Sequence, residues 1–206
     1  HDTVAYAYQN EPKGTGDALK TSLSIIPESS SHILCMYGDD SAFYTPELIH
    51  KLLTSHIRAS ASITMLTIHT PEPAGLGRII RNENKEIVGI IEEKNASDDQ
   101  KLINEINTGL FCFDKDFLVK NIESINKNDV TGEYYLTDLI SIAVSNGVKI
   151  NAITENDNHV WFGINTQEQL EQAAKHQTYL QALHKEIKTP DILLNSVIEK
   201  GTGYSA

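Results

Sequence analysis

The segment from Gln9 to Gly16 combines residue types that can do chemistry at short spacing. It reads Gln-Asn-Glu-Pro-Lys-Gly-Thr-Gly and lies between a strand-like run and an amphipathic one. Glycines let the backbone approach a ligand closely, and the start of the following helix favours an anion. Gln9 carries both a donor and an acceptor, which suits the edge of a nucleobase. The segment indicates a ligand-binding loop, although Gly-Thr-Gly alone also fits a plain turn between a strand and a helix.

A carboxylate follows the apolar run at residues 33–37. Tyr37-Gly38-Asp39 ends this run, and open α/β sheets bind ligands beyond the carboxyl ends of their strands. Mg²⁺ takes few protein oxygens and completes its shell with phosphates and water. Asp39 is therefore a candidate Mg²⁺ ligand, with a turn residue or helix cap as the alternative.

Other segments place glycine, amide or carboxylate groups near the ends of apolar runs. One pairs Gly75-Leu76-Gly77-Arg78 with the later Ile91-Glu92-Glu93-Lys94, which equally fits a glycine loop beside an exposed charged hairpin. The rest are residues 105–109 (Glu-Ile-Asn-Thr-Gly), 132–138 (Gly-Glu-Tyr-Tyr-Leu-Thr-Asp) and 163–165 (Gly-Ile-Asn). Asn and Thr at these positions are able to read sugar hydroxyls or an amide, or to form Asx turns and caps.

The residue types exclude several reaction classes. The sequence offers no Ser-His-Asp order, no Cys–His pairing and no histidines at metal-ligand spacing, so nucleophilic catalysis and zinc chemistry have no carriers. Glycines, amides and one metal carboxylate position charged phosphates instead. Phosphoryl or nucleotidyl transfer is the chemistry that this set suits.

The elements that must position these residues follow an α/β pattern, with short apolar runs alternating with amphipathic segments. We expect strands at residues 3–9, 33–37, 62–70, 78–81, 87–92, 106–113, 148–154 and 160–164. We expect helices at residues 18–26 (capped by Asp17), 45–57, 115–125, 135–144 and 166–188 (capped by Thr166 or Asn165), and a surface connection at 95–100.

The composition restricts the kinds of partner that the chain can bind. The 206 residues carry 17 Lys and Arg against 28 Asp and Glu, a formal net charge of −11, which argues against nucleic acid or an anionic membrane surface as a partner. No apolar run approaches the ~20 residues that span a bilayer. Cys35 and Cys112 lie inside apolar runs and are interpreted as small hydrophobic residues in a reducing compartment, which favours the cytoplasm.

Taken in order, these segments resemble the sugar-nucleotide pyrophosphorylases, above all the uridylyltransferase domain of bacterial N-acetylglucosamine-1-phosphate uridylyltransferases. That family has Gln-x-x-x-x-Gly-Thr, then Tyr-Gly-Asp, Gly-x-Gly-Arg-Ile, Glu-x-Lys, Glu-Ile-Asn-Thr-Gly, Gly-Glu-Tyr-Tyr-Leu-Thr-Asp and Gly-Val/Ile-Asn, and the match spans about Tyr8 to Leu170. The resemblance implies a Rossmann-like α/β fold with a mixed, mainly parallel sheet flanked by helices.

The resemblance also implies residue roles. Asp39 and Asn165 would bind Mg²⁺ and act in catalysis. The nucleotide would be held by Gln9, Gly14, Thr15, Tyr37 and Gly38. The sugar phosphate would contact Gly77, Glu92, Asn107 and Thr137, with Lys94 as a weaker phosphate candidate. Relatives that make dTDP- or UDP-glucose generally carry Asp at the position of Asn165, which favours an N-acetylhexosamine.

The implied activity is Mg²⁺-dependent transfer of UMP from UTP to N-acetylglucosamine 1-phosphate, giving UDP-N-acetylglucosamine and pyrophosphate. One alternative is a non-catalytic sugar-nucleotide-binding or regulatory member of the same fold. Another is a nucleotidyltransferase for a different sugar 1-phosphate.

The sequence departs from the family pattern at several points. The family's first strand, Gly-rich phosphate loop and Pro-Lys do not precede Gln9, so we expect residues 1–188 to be a partial nucleotidyltransferase domain, inactive by itself, followed by a tail at 189–206. Such a domain should expose a sheet edge. Asp40 replaces an apolar residue, Asp17 stands where many members have His, and Asn95 where Asp is common. These changes leave the base and the exact sugar open.

Overall fold

The computed structural model describes residues 4–156 and 160–184, with side chains as far as residue 176. The strands are β1 (His32–Met36), β2 (Ile63–His69), β3 (Arg78–Arg81), β4 (Ile87–Ile91), β5 (Glu105–Asp114) and β6 (Ile150–Glu155). The helices are α1 (Thr15–Ser22), α2 (Pro46–Ala59), α3 (Asp98–Lys101), α4 (Lys115–Asn121), α5 (Asp138–Ser145) and α6 (Gln167–His184). Short 3₁₀ turns follow α1, β1, β4 and α4.

The six strands form one mixed sheet in the order β4-β3-β5-β2-β6, with β1 also paired to β5. Strand β5 runs antiparallel to β1, β2 and β3, and β4 runs antiparallel to β3. Since β6 is parallel to β2, four strands point one way and two point back. The predicted mixed α/β sheet is confirmed. Because β5 separates strands of common direction, β2–β6 is the one parallel hydrogen-bonded pair among the described strands.

Alternate residues of the central strands belong to two hydrophobic clusters, which lie on opposite faces of the sheet. Met65 and Phe111 belong to the larger cluster, which residues of α1, α4 and α5 complete. Their chain neighbours Leu66 and Leu110 belong to the smaller cluster, which α2 covers. Because side chains of a strand alternate between faces, a strand that is buried on both sides has a continuous run of apolar residues in the sequence. Helices therefore cover both faces, and ligand-binding groups are left to the loops at the strand ends.

Strand β5 explains how the loops are arranged. On one edge it pairs with β2 along most of its length, and on the other it meets β3 first, at Ile106, and β1 further along, at residues 110–114. The gap between the end of β1 and the start of β3 falls opposite residues 107–109 of β5. Loops that leave β1 and enter β3 therefore converge on this stretch.

Two expected strands are absent from the described residues. Residues 4–9 adopt no regular structure and are mostly exposed, since no described strand lies beside them to accept backbone hydrogen bonds. Residues 160–164 form a turn and an irregular segment beside α6. Among the described strands, β1 pairs with β5 alone.

Helix boundaries differ from the expectations where local hydrogen bonds decide them. Helix α1 begins at Thr15 after Gly14, so Asp17 lies in the first turn and is not the cap. Residues 135–137 form a turn before α5, and the fourth helix is shorter than expected because a 3₁₀ turn follows it. Residues 95–100, expected to be a plain connection, contain the start of α3, whose capping box joins Ser97 and Gln100.

The remaining expectations agree with the structure within two residues. They include the strands at 33–37, 62–70, 106–113 and 148–154, the hairpin, and the helix that begins after Thr45, whose hydroxyl accepts from Leu48 N–H. The part of the sixth predicted helix beyond residue 184, and the tail at 189–206, lie outside the described residues. Within residues 4–156 and 160–184, no helix is both long enough and apolar enough to cross a membrane.

Candidate functional site

The candidate site forms where the loops at the end of β1 and the start of β3 meet β5. Tyr37 N–H donates to Gly109 C=O at 3.2 Å, and Asn107 N–H donates to Gly77 C=O at 2.9 Å. The side-chain oxygen of Asn107 accepts from Gly109 N–H at 3.1 Å, which leaves the amide nitrogen of this buried residue as the group for a ligand. Three segments that are distant in sequence are thus joined by backbone contacts.

Position 109 must be glycine because the Tyr37 ring packs directly against it. Its φ of +76° lies in the left-handed region, and a Cβ there would approach Tyr37 Cδ2 to 2.5 Å and Asp40 Oδ2 to 3.2 Å. A glycine alone meets both conditions. The Tyr37 ring therefore lies directly against the backbone of β5, which fixes the loop that carries Gly38 and Asp39.

The segment at residues 161–165 closes over the same loop. Ile164 N–H donates to Asp39 C=O at 3.0 Å. A Cβ at Gly163 would lie 3.1 Å from Asp40 Oδ1 and 3.5 Å from Asn165 Nδ2, so Asp40 and Asn165 flank this glycine. The structure thus brings the loops of the two predicted metal ligands, Asp39 and Asn165, together.

Asn165 is held at the start of α6 by a capping box. Thr166 Oγ1 accepts from Gln169 N–H at 3.1 Å, while Gln169 Oε1 accepts from the N–H groups of Asn165 and Thr166 at 2.7 and 3.0 Å. The predicted cap at Thr166 is confirmed. The Asn165 side chain is exposed and therefore accessible to a ligand.

Oxygen atoms dominate this part of the site. Asp39, Asp40 and Asn165 supply carboxylate and amide oxygens, the hard donors that Mg²⁺ takes. In the part of the chain that the structure describes, no three His, Cys, Asp or Glu side chains cluster as a metal site. The donors fit a cation that keeps few protein ligands and takes the rest from phosphates and water.

The predicted sugar-phosphate residues form a second group beside the first. Thr137 Oγ1 donates to Glu92 Oε1 at 3.0 Å. A Cβ at Gly77 would lie 3.2 Å from Ile90 Cγ2 and 3.4 Å from both carboxylate oxygens of Glu92, so this glycine lies directly against the end of the hairpin that carries Glu92. Gly77, Glu92 and Thr137 therefore lie together, whereas Lys94 is exposed on the turn that follows Glu92.

Arg78 supports this group, and the sequence reasoning gave it no role. Its side chain is 1% exposed, and its guanidinium donates to the Leu76 carbonyl and, at 2.6 Å, to Glu93 Oε2. These bonds join the glycine loop before β3 to the turn after β4, which carries Glu92. A signal is present in the sequence, because Gly-x-Gly-Arg leads into the first strand of one predicted hairpin and Glu-Glu ends its second strand.

The glycine loop at residues 13–16 packs against the segment around Tyr134. Tyr134 N–H donates to Lys13 C=O at 2.8 Å, and Gly16 N–H donates to Tyr134 C=O at 2.9 Å. Gly14 has a φ of +99°, and a Cβ there would approach Tyr134 O to 2.6 Å. The two motifs therefore depend on each other, since a larger residue at position 14 would separate them.

Thr15 links this loop to both groups of the site. Its hydroxyl oxygen accepts from Leu136 N–H at 3.0 Å, next to Thr137, and the Tyr37 side chain hydrogen-bonds with Thr15. Burial raises the pKa of Tyr37 far above its ordinary value, so its hydroxyl stays neutral. Thr15, predicted to contact the nucleotide, is thus also an anchor between α1 and the end of β1.

Gln9 lies at the outer end of the same loop. Its side-chain nitrogen donates to Asp17 Oδ2 at 2.6 Å and to the Gly14 carbonyl at 3.3 Å. Gln9 and Gly14, both predicted to hold the nucleotide, are therefore in contact. Asp17 is a partner of this pair that the sequence reasoning did not identify.

The two thiols take no part in the site. Cys35 and Cys112 are free and buried, and burial raises the pKa of each to about 12. A thiol with such a pKa is protonated and inert at neutral pH. Their interpretation as small hydrophobic residues of the core is confirmed.

The chain thus combines a mixed α/β sheet with loops that gather glycines, amides and carboxylates. The chain belongs to the nucleotidyl transferase family, whose sequence profile matches residues 2–179. It is similar to the bifunctional protein GlmU of Bacillus licheniformis, with 38% identity over 168 residues, which are 82% of this chain and 37% of that protein. The corresponding protein of Syntrophotalea carbinolica is 37% identical over 84% of this chain and 37% of its own length.

A third relative, the bifunctional protein GlmU of Mycobacterium leprae, is 36% identical over 168 residues, 82% of this chain and 34% of that protein. The chain therefore matches little more than a third of the length of these relatives. The resemblance predicted from the ordered motifs is confirmed.

Proposed function

We propose that this chain is the uridylyltransferase part of an enzyme that transfers UMP from UTP to N-acetylglucosamine 1-phosphate. The proposal rests on one observation. Two groups of residues that differ in chemistry lie next to Asn107–Gly109. One is the oxygen-rich group of Asp39, Asp40 and Asn165, and the other is the Glu92–Thr137 pair beside Gly77. A site with two such halves suits the joining of two phosphorylated substrates.

Each half suits one substrate. Gln9 and Gly14, together at the start of α1, would hold the uracil end of UTP. Glu92 and Thr137 offer a carboxylate and a hydroxyl to sugar hydroxyls, and the Asn107 amide offers a donor to a sugar or phosphate oxygen. The Asn165 side chain, exposed at the start of α6, lies beside Gly163, which Asp40 also approaches.

Mg²⁺ is the proposed cofactor, and Asp39 with Asn165 would hold it. When bound, the ion would neutralise the repulsion between two anionic substrates and polarise the phosphate under attack. The chain's own net charge of −11 adds to the negative charge that such an ion would offset. The protein residues themselves bind and orient the substrates.

The proposed reaction is a single in-line displacement. A phosphate oxygen of the sugar 1-phosphate attacks the α-phosphorus of UTP, the bond between that phosphorus and the oxygen bridging to the β-phosphate breaks, and pyrophosphate leaves. No covalent enzyme intermediate is needed, so positioning accounts for most of the catalysis. This agrees with a site that is built of glycines, amides and carboxylates.

Free thiols at Cys35 and Cys112 suit a reducing compartment, and we therefore place the protein in the cytoplasm. The proposed function is tested by measuring pyrophosphate release by the full-length gene product from UTP with N-acetylglucosamine 1-phosphate. Glucose 1-phosphate is the comparison substrate. Faster release with the N-acetylated sugar is expected. Sugar-nucleotide binding without release from any sugar phosphate would overturn the proposal and favour a regulatory role.

A further inference from the structure

The Gln9 side chain has a fixed orientation in this structure. Its amide group faces two atoms, Asp17 Oδ2 at 2.6 Å and the Gly14 carbonyl oxygen at 3.3 Å. A carboxylate and a carbonyl oxygen only accept hydrogen bonds, so the atom of Gln9 that faces them must be the NH₂ nitrogen. Both of its N–H groups are therefore used within the protein, and Oε1 is the atom left for a ligand.

Turning the amide over would be costly while Asp17 is a carboxylate. The flipped side chain would place Oε1 against two acceptors, one of them charged, and would lose both hydrogen bonds. A glutamine without such partners can rotate and present either a donor or an acceptor to a base. Asp17 removes this choice.

We propose that Asp17 is a specificity-determining residue, because it locks Gln9 as an acceptor and so selects a pyrimidine that presents N3–H over one that presents an unprotonated N3. This inference rests on the proposed function, in which Gln9 and Gly14 hold the base. Uracil and thymine carry the N3–H donor beside the O4 acceptor. Cytosine in the same position carries an N3 acceptor beside an amino donor.

The mismatch with cytosine would lie at N3. This atom would face Gln9 Oε1, acceptor against acceptor. A site that holds its polar groups rigidly rejects such a base, because the mismatch leaves two desolvated acceptors without a donor. With a rotatable glutamine, the mismatch could be relieved.

The proposal is tested by the binding of UTP and CTP to the full-length protein, measured by calorimetry. Wild-type protein should bind UTP at least tenfold more tightly than CTP. In Asp17→Asn, the new amide can donate to a flipped Gln9, so the ratio should fall at least fivefold, mainly through tighter CTP binding. The matched control is Glu123→Gln, which removes an exposed carboxylate that accepts from Lys20 of α1 at 2.6 Å, and it should retain the wild-type ratio.

A double-mutant cycle shows whether Asp17 acts through Gln9. In a Gln9→Ala background, Asp17→Asn should leave the UTP-to-CTP ratio unchanged. Because both nucleotides are compared on one preparation, a partly misfolded variant does not alter the ratio. Equal binding of the two nucleotides by the wild type, an Asp17→Asn ratio within twofold of the wild type, or a full Asp17→Asn effect without Gln9 would each overturn the proposal.

The same measurements separate this inference from the proposed function. Selective UTP binding that Asp17→Asn relaxes, without pyrophosphate release from any sugar phosphate, would uphold the specificity role and overturn the enzyme. Pyrophosphate release with an unchanged ratio in Asp17→Asn would uphold the enzyme and overturn the specificity role. Failure of the wild type to bind either nucleotide would overturn both.

Discussion

The hydroxyl of Thr137 donates a hydrogen bond to the carboxylate of Glu92 at 3.0 Å, across 45 positions of the sequence. Thr137 ends the turn before α5, and Glu92 follows the β3–β4 hairpin. Thr137 and Glu92 are both proposed sugar-binding residues, and the bond therefore fixes the orientation of each relative to the other. It also ties together two elements that approach each other only in the folded chain.

Replacing Thr137 by Val should weaken binding of the sugar phosphate. The change keeps the shape but removes the donor to Glu92, and a hydrogen bond to a charged group contributes about 1.5–3 kcal/mol. We expect KM for the sugar 1-phosphate to rise about tenfold, with little change in KM for UTP. Steady-state kinetics on both substrates measure this. Thr137→Ser restores the hydroxyl and should recover most of the affinity, whereas an unchanged KM in Thr137→Val would refute a role for the bond.

Replacing Asp39 by Ala should abolish Mg²⁺-dependent turnover. Loss of one preorganised group that stabilises developing charge typically costs about 10²–10³ in rate, and the cation would lose its proposed carboxylate as well. Pyrophosphate release by the full-length protein across a Mg²⁺ titration is the measurement. Asp116→Ala, which removes an exposed carboxylate from the first turn of α4, is the control and should behave as the wild type. Activity of Asp39→Ala within a few-fold of the wild type would rule out the metal assignment.

Replacing Gly109 by Ala should destabilise the fold strongly. The new Cβ would overlap the Tyr37 ring and adopt a φ of +76°, so both steric and backbone strain apply. We expect the free energy of unfolding to fall by about 3 kcal/mol or more. Gly147→Ala is the matched control, because its φ is +63° but nothing lies within 4 Å of its Cβ, and it should lose only about 1 kcal/mol. Urea denaturation compares the two, and equal losses would show that the fit against Tyr37 is unimportant.

Stability should fall as the pH drops below 6.5 because His56 is buried. Its ring is 1% exposed and bonds to Thr64 Oγ1 at 2.9 Å. Burial and, to a lesser extent, the charge of nearby His32 lower its pKa below the ordinary 6.5, and these outweigh the opposing charge of Asp114. The unfolded chain then binds more protons than the folded one, so the stabilising contribution is complete above 6.5 and is lost as the pH falls through the folded-state pKa.

The measurement is the free energy of unfolding between pH 7.5 and 5, by urea denaturation. In His56→Gln the decline over this range should be smaller than in the wild type. His50→Gln, at an exposed position of the same helix, should keep the wild-type decline. An identical decline in His56→Gln would show that another group causes it. The buried Glu105 changes the stability only at more acidic pH. Its burial raises its pKa, but hydrogen bonds from Arg81 and Thr67 outweigh this effect and lower the pKa below 4.5.

Much of the fold was predictable because its signals are local. The runs that became β2, β5 and β6 are apolar or β-branched, and α2 has its cap at Thr45 and Pro at its first position. Such patterns act within a few residues, so they identify an element wherever it lies in the fold. Residues 4–9 have the same alternating pattern but lack a described neighbour to pair with, and a strand needs a partner as well as a pattern.

The candidate site was predictable as a set of residues but not as a geometry. Gln9, Asp39, Glu92, Asn107 and Thr137 were identified from ordered motifs. The motifs do not state that Asp17 holds the Gln9 amide, or that Arg78 joins the loops on either side of its hairpin. Those contacts depend on side-chain directions that only packing fixes.

The sequence by itself determined the α/β class, the order of the elements, the buried strands and the family to which the chain belongs. The tertiary structure decided which loops meet. That choice follows from β5, which runs against β1, β2 and β3 and leaves a gap opposite residues 107–109. Strand pairing joins residues that are far apart in the chain, so its register is set by the burial of the whole sheet and not by any local pattern. The role of the glycines at 77, 109 and 163 is visible only there, because a Cβ at these positions would approach Ile90 Cγ2, Tyr37 Cδ2 and Asp40 Oδ1, respectively, to 3.2 Å or less.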